Sequence, residues 1–302
     1  MKKMITLILI CLTMGSFAQR ATNYWDGSHN FYWHNNSNWS LGHIPTSTED
    51  VVIPNGMPRY PSVDIYDENI KSLTIQSNAE VRIYDQTLDV SGEVNVYGEL
   101  RLLDGDAVIE CDDLTWHSGS SAQTTGGCAF RLYGTWEFAA GANVQLDNGY
   151  ASFYGSGTQY IRSKDADCYF NDIWVNKSGG LLGLSAQSTE TCKINGNITL
   201  VGNNYDFISY SSETIQIAYY FTNTDPSIDI AIENGSIEFT GNSTCYYRPQ
   251  PGNYINNLIV NTGSYSLDLS ALFSTSTEVK GDVTINSGQL DVNGMDVSVG
   301  GD

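Results

Sequence analysis

With 34 acidic side chains against 14 basic ones in 302 residues, the chain carries a formal charge of −20, which sets it against phosphate backbones and anionic lipid surfaces. Nucleic-acid binding is excluded on that ground, and a polyuronate would approach only with a divalent cation between the two surfaces. Hydrophobic residues make up 41% of the sequence, enough at this length to bury a sizeable core.

The first element reads as a targeting segment. Lys2 and Lys3 precede an apolar run over residues 4–14, and Ser16-Phe17-Ala18 supplies a small-x-small cleavage site before Gln19. Residues 1–18 are therefore expected to be a secretory signal peptide, too short for a membrane span. No second long apolar run follows, so the mature chain is expected to be secreted, extracellular or on the outer cell surface, with no membrane span. Ile10 stands where a small residue would have to precede a lipidated Cys11.

Residues 19–62 are rich in aromatics: Tyr24-Trp25-Asp26-Gly27, Tyr32-Trp33 and Asn38-Trp39-Ser40 place three of the six tryptophans within fifteen positions. A stack of strands leaves unpaired backbone at its end, and large rings folded over that end would cover it. The alternative use of the same rings is a platform for sugars.

From residue 63 to 302 the dominant signal is the apolar-x-apolar triplet. Val81-x-Ile83, Leu88-x-Val90, Val94-x-Val96 and Leu100-x-Leu102 follow one another at six or seven residues, and Val283-x-Ile285, Leu290-x-Val292 and Val297-x-Val299 resume the pattern. Each triplet is a short strand with alternate side chains inward. Three such faces give a coil of about 21 residues, the scale of a solenoid repeat. The expected fold is all-β, a right-handed parallel β-helix. A longer echo joins 144–200 to 230–285: Phe170–Leu200 aligns on Ile255–Ile285 at an offset of 85 residues, pairing Asn171 with Asn256, Trp174 with Ile259 and Gly196 with Gly281. Upstream, at an offset one longer, Arg162 meets Arg248, which reads as a structural equivalence. Four coils of 21 come close to that offset, so the copies are expected to stack face on face.

The order W-D-G…W…N-W-S…G-x-x-P-T-S-T-E-D-V-V-I-P over Trp25–Pro54, with Phe153–Ile161, Asn171–Asn176 and Gly281–Gly294 downstream, resembles secreted, surface-associated β-helix proteins of Bacteroidota, many exported by the type IX route. That resemblance implies a parallel β-helix outside the cell with adhesive or binding roles. The C-terminal sorting domain usual in such proteins is not visible, and the triplet rhythm runs to the last residues, so the chain is expected to continue in a longer parent or to have its last coil frayed or covered by a partner.

Chemistry is sparse. Asp104, Asp106, Asp112 and Asp113 fall within one coil and offer hard oxygen ligands for Ca²⁺, or else a solvated acidic turn. No other cofactor is expected. Cys111 with Cys128, and Cys168 with Cys192, are each about one coil apart and are candidate disulfides in an exported chain; Cys245 is left over. His29, His34 and His43 lack metal-ligand spacing. Neither a lyase base beside Ca²⁺ ligands nor a convincing carboxylate pair is evident, so no catalytic residue is assigned. Trp174 points outward by alternation between Ile173 and Val175 and is suited to stack on a sugar. Val201–Asp229 breaks the earlier phrase and is expected to form a lateral loop, with Ile215, Ile217, Tyr219 and Phe221 inward and Tyr205, Tyr210 and Tyr220 as further contact candidates. These observations favour a non-enzymatic scaffold that binds an extracellular glycan or a surface protein; the alternative is a polysaccharide lyase or glycoside hydrolase on the same fold.

Overall fold

A computed structural model of the chain describes residues 20–164, 168–184, 191–209, 211–270 and 276–301. Residues 1–18, expected from the sequence to be a signal peptide, and Tyr210 lie outside the described residues. The architecture is a β-solenoid of about 11 turns with coils about 22 residues apart, close to the period read from the triplets. A regular coil contributes three short strands, and in the last coils strands run together across the corners, as in Asp229–Phe239 and Tyr254–Leu269. Ser72–Ile75 lies on one side, which we call face A, Glu80–Ile83 on face B and Thr87–Val90 on face C, and the next coil repeats the order with Val94–Val96, Glu99–Leu102 and Val108–Cys111. All three ladders are parallel and in register: Leu73 sits on Val94, Val81 on Leu100, and Leu88 on Ile109. No helix among the described residues is long and apolar enough to cross a membrane.

Alternation does the work that the sequence implied. Along most strands the inward residue is Val, Ile, Leu or Phe and almost fully buried, and like sits on like from coil to coil. Burying one such side chain stabilises by roughly 1.5–3 kcal/mol relative to exposure, so the column of aliphatics is the main source of cohesion. Midway down, the interior changes from aliphatic to aromatic. Trp116, Trp136 and Phe138 from face A meet Phe130 from face C and Phe170 from face B, with ring centroids 4.9–6.1 Å apart.

The aromatic segment at the N-terminus forms the first, irregular coil. Thr22–Tyr24 pairs with Asp50–Ile53 on face A, and Tyr32 bridges Ser62 on face B. Trp25, Trp33 and Trp39 are buried edge-to-face inside it, and the indole N–H groups of Trp25 and Trp39 donate to Arg59 O and Trp33 O, both at 2.7 Å. Rings placed so are core, and none is an open sugar platform.

Strand starts share one corner device. Asp113 Oδ1 accepts the Thr135 N–H one coil below at 2.5 Å, Asp172 Oδ1 accepts that of Asn197 at 2.7 Å, and Asn257 Oδ1 accepts that of Asp282 at 2.9 Å. The donating residue follows Gly134, Gly196 or Gly281, and a Cβ on any of these glycines would overlap that same side-chain oxygen. The three examples open strands on faces A, C and B respectively, so one solution serves all three corners. Gly196→Ala should therefore lower stability by about 1–3 kcal/mol, since Asn171 O blocks the other escape. Gly157→Ala, where a methyl meets open space, should change little. Urea denaturation of the two variants checks both values.

The corners explain a correction to the long repeat. Following the register down from Ile173 gives Ile198, Phe221, Tyr247 and then Leu269, not Leu258. The 85-residue offset advances three coils and two further faces. Trp174 and Ile259 thus lie on different faces, as do Arg162 and Arg248. Nor does Val201–Asp229 form a lateral loop: it continues as ordinary coil strands at Asp206–Ser209, Thr214–Ile217 and Tyr220–Asn223. Ile215, Ile217 and Phe221 are buried as expected, but Tyr219 sits at a corner, half-exposed, with its hydroxyl donating to Asn242.

Candidate functional site

The outer surface of face C is where exposed aromatics and uncommitted polar groups coincide. Alternation on Asp172–Lys177 buries Ile173 and Val175 and leaves the Trp174 indole 43% exposed. In-register stacking then builds columns down the face. Trp174 is preceded by Ser152 and followed by Thr199, Thr222 and Arg248, while beside it runs Tyr150, Asp172, Asn197, Tyr220 and Tyr246. The two threonines are short and make a floor; the rings on either side stand above it.

Two recesses follow from that relief. The upper, about 510 Å³, is lined by Tyr150, Tyr154, Asp172, Trp174, Asn176, Asn197 and Thr199 among others. The lower, about 390 Å³, is lined by Asn197, Thr199, Tyr220, Thr222, Tyr246 and Arg248. Shared lining at Asn197 and Thr199 makes them one trough. Three inter-strand steps of about 4.8 Å separate Trp174 from Arg248, giving a length of about 14 Å.

The trough's polar groups divide into committed and available. Asp172 Oδ1 and the Asn197 amide are used in the corner device, and Asn197 Oδ1 also accepts the Tyr220 N–H at 3.2 Å. The side chains of Asn176, Thr199 and Thr222 make no hydrogen bond among the described residues, and neither do the hydroxyls of Tyr150, Tyr154, Tyr220 and Tyr246. Tyr220 and Tyr246 stack with centroids 5.1 Å apart, and the Arg248 guanidinium lies 5.0 Å from the Tyr246 ring centre and 6.0 Å from that of Tyr220.

The other candidates fare differently. Tyr205 is a correction: it is buried, with its hydroxyl donating to Val175 O at 3.4 Å, because it turns inward at the wide corner between faces C and A. The four aspartates do not converge. Asp104 lines a recess with Asp64, Arg82 and Asp85, Asp112 and Asp113 line a separate one with Arg20, Lys71 and Glu93, and Asp106 is exposed. Among the described residues no three His, Cys, Asp or Glu side chains are grouped to hold a metal ion. The cysteines are corrected too, since Cys111, Cys128, Cys168 and Cys192 form no disulfides. All are buried; Cys111 sits between Val90 and Leu132 in its ladder rather than against Cys128. Burial pushes the Cys128 thiol up to about 11 and that of Cys192 to about 12, so both behave as small apolar residues.

Residues 24–125 match the model of a family described only as a domain of unknown function (DUF8693). The match takes in the aromatic first coil and the aliphatic coils after it, and ends before the trough begins at Tyr150. No curated protein and no solved structure matches the chain.

Of the trough residues, Trp174 and Tyr220 are legible from alternation and from their failure to fit it. Tyr150, Tyr154, Asn176, Thr199, Tyr246 and Arg248 become visible only when residues one coil apart are laid side by side. Coil lengths vary by several residues here, which hides that register from a fixed period.

Proposed function

We propose that the protein is a non-enzymatic extracellular β-solenoid scaffold that binds a glycan along face C. The observation that carries this reading is the trough itself: an exposed indole, tyrosine rings along its flank and unused amide and hydroxyl groups between them. Sugar rings present apolar C–H faces edged by hydroxyls, so they pair with aromatic planes flanked by such groups. A trough of about 14 Å is long enough to take a short stretch of a sugar chain. Export through the segment at residues 1–18 would put the face in contact with such polymers.

Binding is favoured over cleavage on chemical grounds. Asp172 is the one carboxylate among the residues lining the two recesses, and its Oδ1 is held by Asn197. Hydrolysis of a glycosidic bond takes two carboxyl groups placed across the bond.

The test is co-sedimentation and affinity electrophoresis of the mature chain against soluble and insoluble polysaccharides, with reducing ends and unsaturated ends measured in the same samples. Binding without new ends is the expected result. Trp174→Ala should weaken it by at least about tenfold, near 1.4 kcal/mol, while far-UV circular dichroism stays unchanged because the indole is exposed. New ends from any substrate would replace the binding reading with an enzymatic one.

A further inference from the structure

Arg248 stands apart from the other arginines of the chain. Arg20, Arg82, Arg101, Arg131 and Arg162 each lie within ion-pair distance of a carboxylate, from 2.5 to 3.8 Å. Arg59 gives its guanidinium to the carbonyls of Gly27 and Ser28. Among the described residues Arg248 has no carboxylate partner, and only its Nε is engaged, donating to Ser270 Oγ at 3.4 Å, while its terminal nitrogens donate to none of them. In a protein with 34 acidic side chains this cation forms no ion pair among the described residues, and the acid below Tyr246 in register, Asp268, is held by Ser266 Oγ at 2.8 Å. It is also held in place, by the stacked faces of Tyr220 and Tyr246.

A guanidinium fixed by its stem and by ring faces, with its outer edge free, is built to take a planar anion through two parallel N–H donors. Resting on the reading of the trough as a glycan site, we infer that Arg248 forms a subsite for a carboxylate-bearing sugar at one end of a chain whose other residues are neutral. The rest of the trough supports that division. Its remaining lining is uncharged apart from Asp172 near the opposite end, which disfavours acid groups there. The overall negative charge acts against a polymer acidic at every residue and leaves a sparsely substituted one acceptable. Arg162, its apparent counterpart in the long repeat, faces Glu137 on face A at 3.6 Å and has no such freedom.

The experiment is an array of neutral oligosaccharides printed beside their uronic-acid-substituted counterparts, with sulfated counterparts as a third set, probed with wild type, Arg248→Gln, Arg248→Lys and Trp174→Ala. Wild type should prefer the uronate set by about ten- to a hundredfold over the neutral set, a preference that shrinks with added salt. Arg248→Gln should lose the preference and keep the neutral binding, Arg248→Lys should keep part of it, and Trp174→Ala should lose both. Equal binding of neutral and acidic sets by wild type, or an unchanged preference in Arg248→Gln, would overturn the subsite while leaving the trough. A preference for the sulfated set over the uronate set would overturn the carboxylate assignment. Absence of binding to all three sets would overturn the trough and the subsite together.

Discussion

Replacing Trp136 with alanine is expected to lower the free energy of unfolding by about 3–5 kcal/mol, among the largest effects of any single substitution in the chain. Trp136 is fully buried at the centre of the aromatic block, with its ring 4.9 Å from Phe170, 5.2 Å from Phe130 and 5.5 Å from Phe138. Those neighbours come from three faces and several coils, so truncation leaves a void that no local shift can close. Each coil rests only on its neighbours, and a weak point midway should divide the stack. Denaturant unfolding of Trp136→Ala followed by hydrogen exchange should therefore show the coils around the block opening first, with those near Val81 and Leu100 protected longer. Trp136→Phe should cost far less, because the indole N–H has no hydrogen-bond partner to lose. A cost for Trp136→Ala under 1 kcal/mol would mean that the block is loosely packed and that the aliphatic columns alone hold the coils.

The fold was legible because every coil says the same thing three times. Val81-x-Ile83, Leu88-x-Val90 and Val94-x-Val96 occupy three successive faces, and each carries the same alternation whatever its neighbours do. That same equivalence is why the long repeat misled. The strand-opening device at Gly134, Gly196 and Gly281 is chemically one motif used on three corners, so an alignment that matches glycine to glycine cannot tell a full coil from two thirds of one. Only backbone pairing distinguishes them. Tyr205 escaped for a related reason: alternation is defined along strands, and it lies at a corner where the chain turns inward. Arg248 reads as structural from the repeat because it aligns with Arg162, which pairs with Glu137. Its distinguishing property, the lack of an ion pair among the described residues, is a fact about the coils above and below and is not written in any local stretch of sequence.

Lys177 supplies the other large effect, and one with a pH signature. It ends the strand Asp172–Lys177 at the corner between faces C and A, where strand pairing lapses and inward carbonyls need donors. Its Nζ donates to Gly157 O at 2.7 Å and Gln159 Oε1 at 2.6 Å, and the Gln159 amide in turn donates to Leu132 O and Gly134 O. Lysine and glutamine are both almost wholly buried, so the pair ties three successive coils together. Lys177→Ala removes the stem and strands two acceptors, and should cost about 3–5 kcal/mol. Burial pulls the Lys177 amine down to about 8 from the ordinary 10.5. The sign follows from proton counts. Between these values the unfolded chain holds the proton and the folded chain does not, so the contribution of this group to stability rises with pH across that window and is flat below it. The buried cysteines act in the opposite sense, since their raised thiols keep protons that the unfolded chain releases above about 9. Wild type must therefore be compared with Lys177→Met, which retains the cysteines and much of the apolar stem. The difference in unfolding free energy should move toward wild type by about 1–3 kcal/mol between pH 7.5 and pH 10. A difference that stays constant would show that the ammonium remains charged and well solvated at this corner, and the network would then be a surface feature rather than a tie between coils.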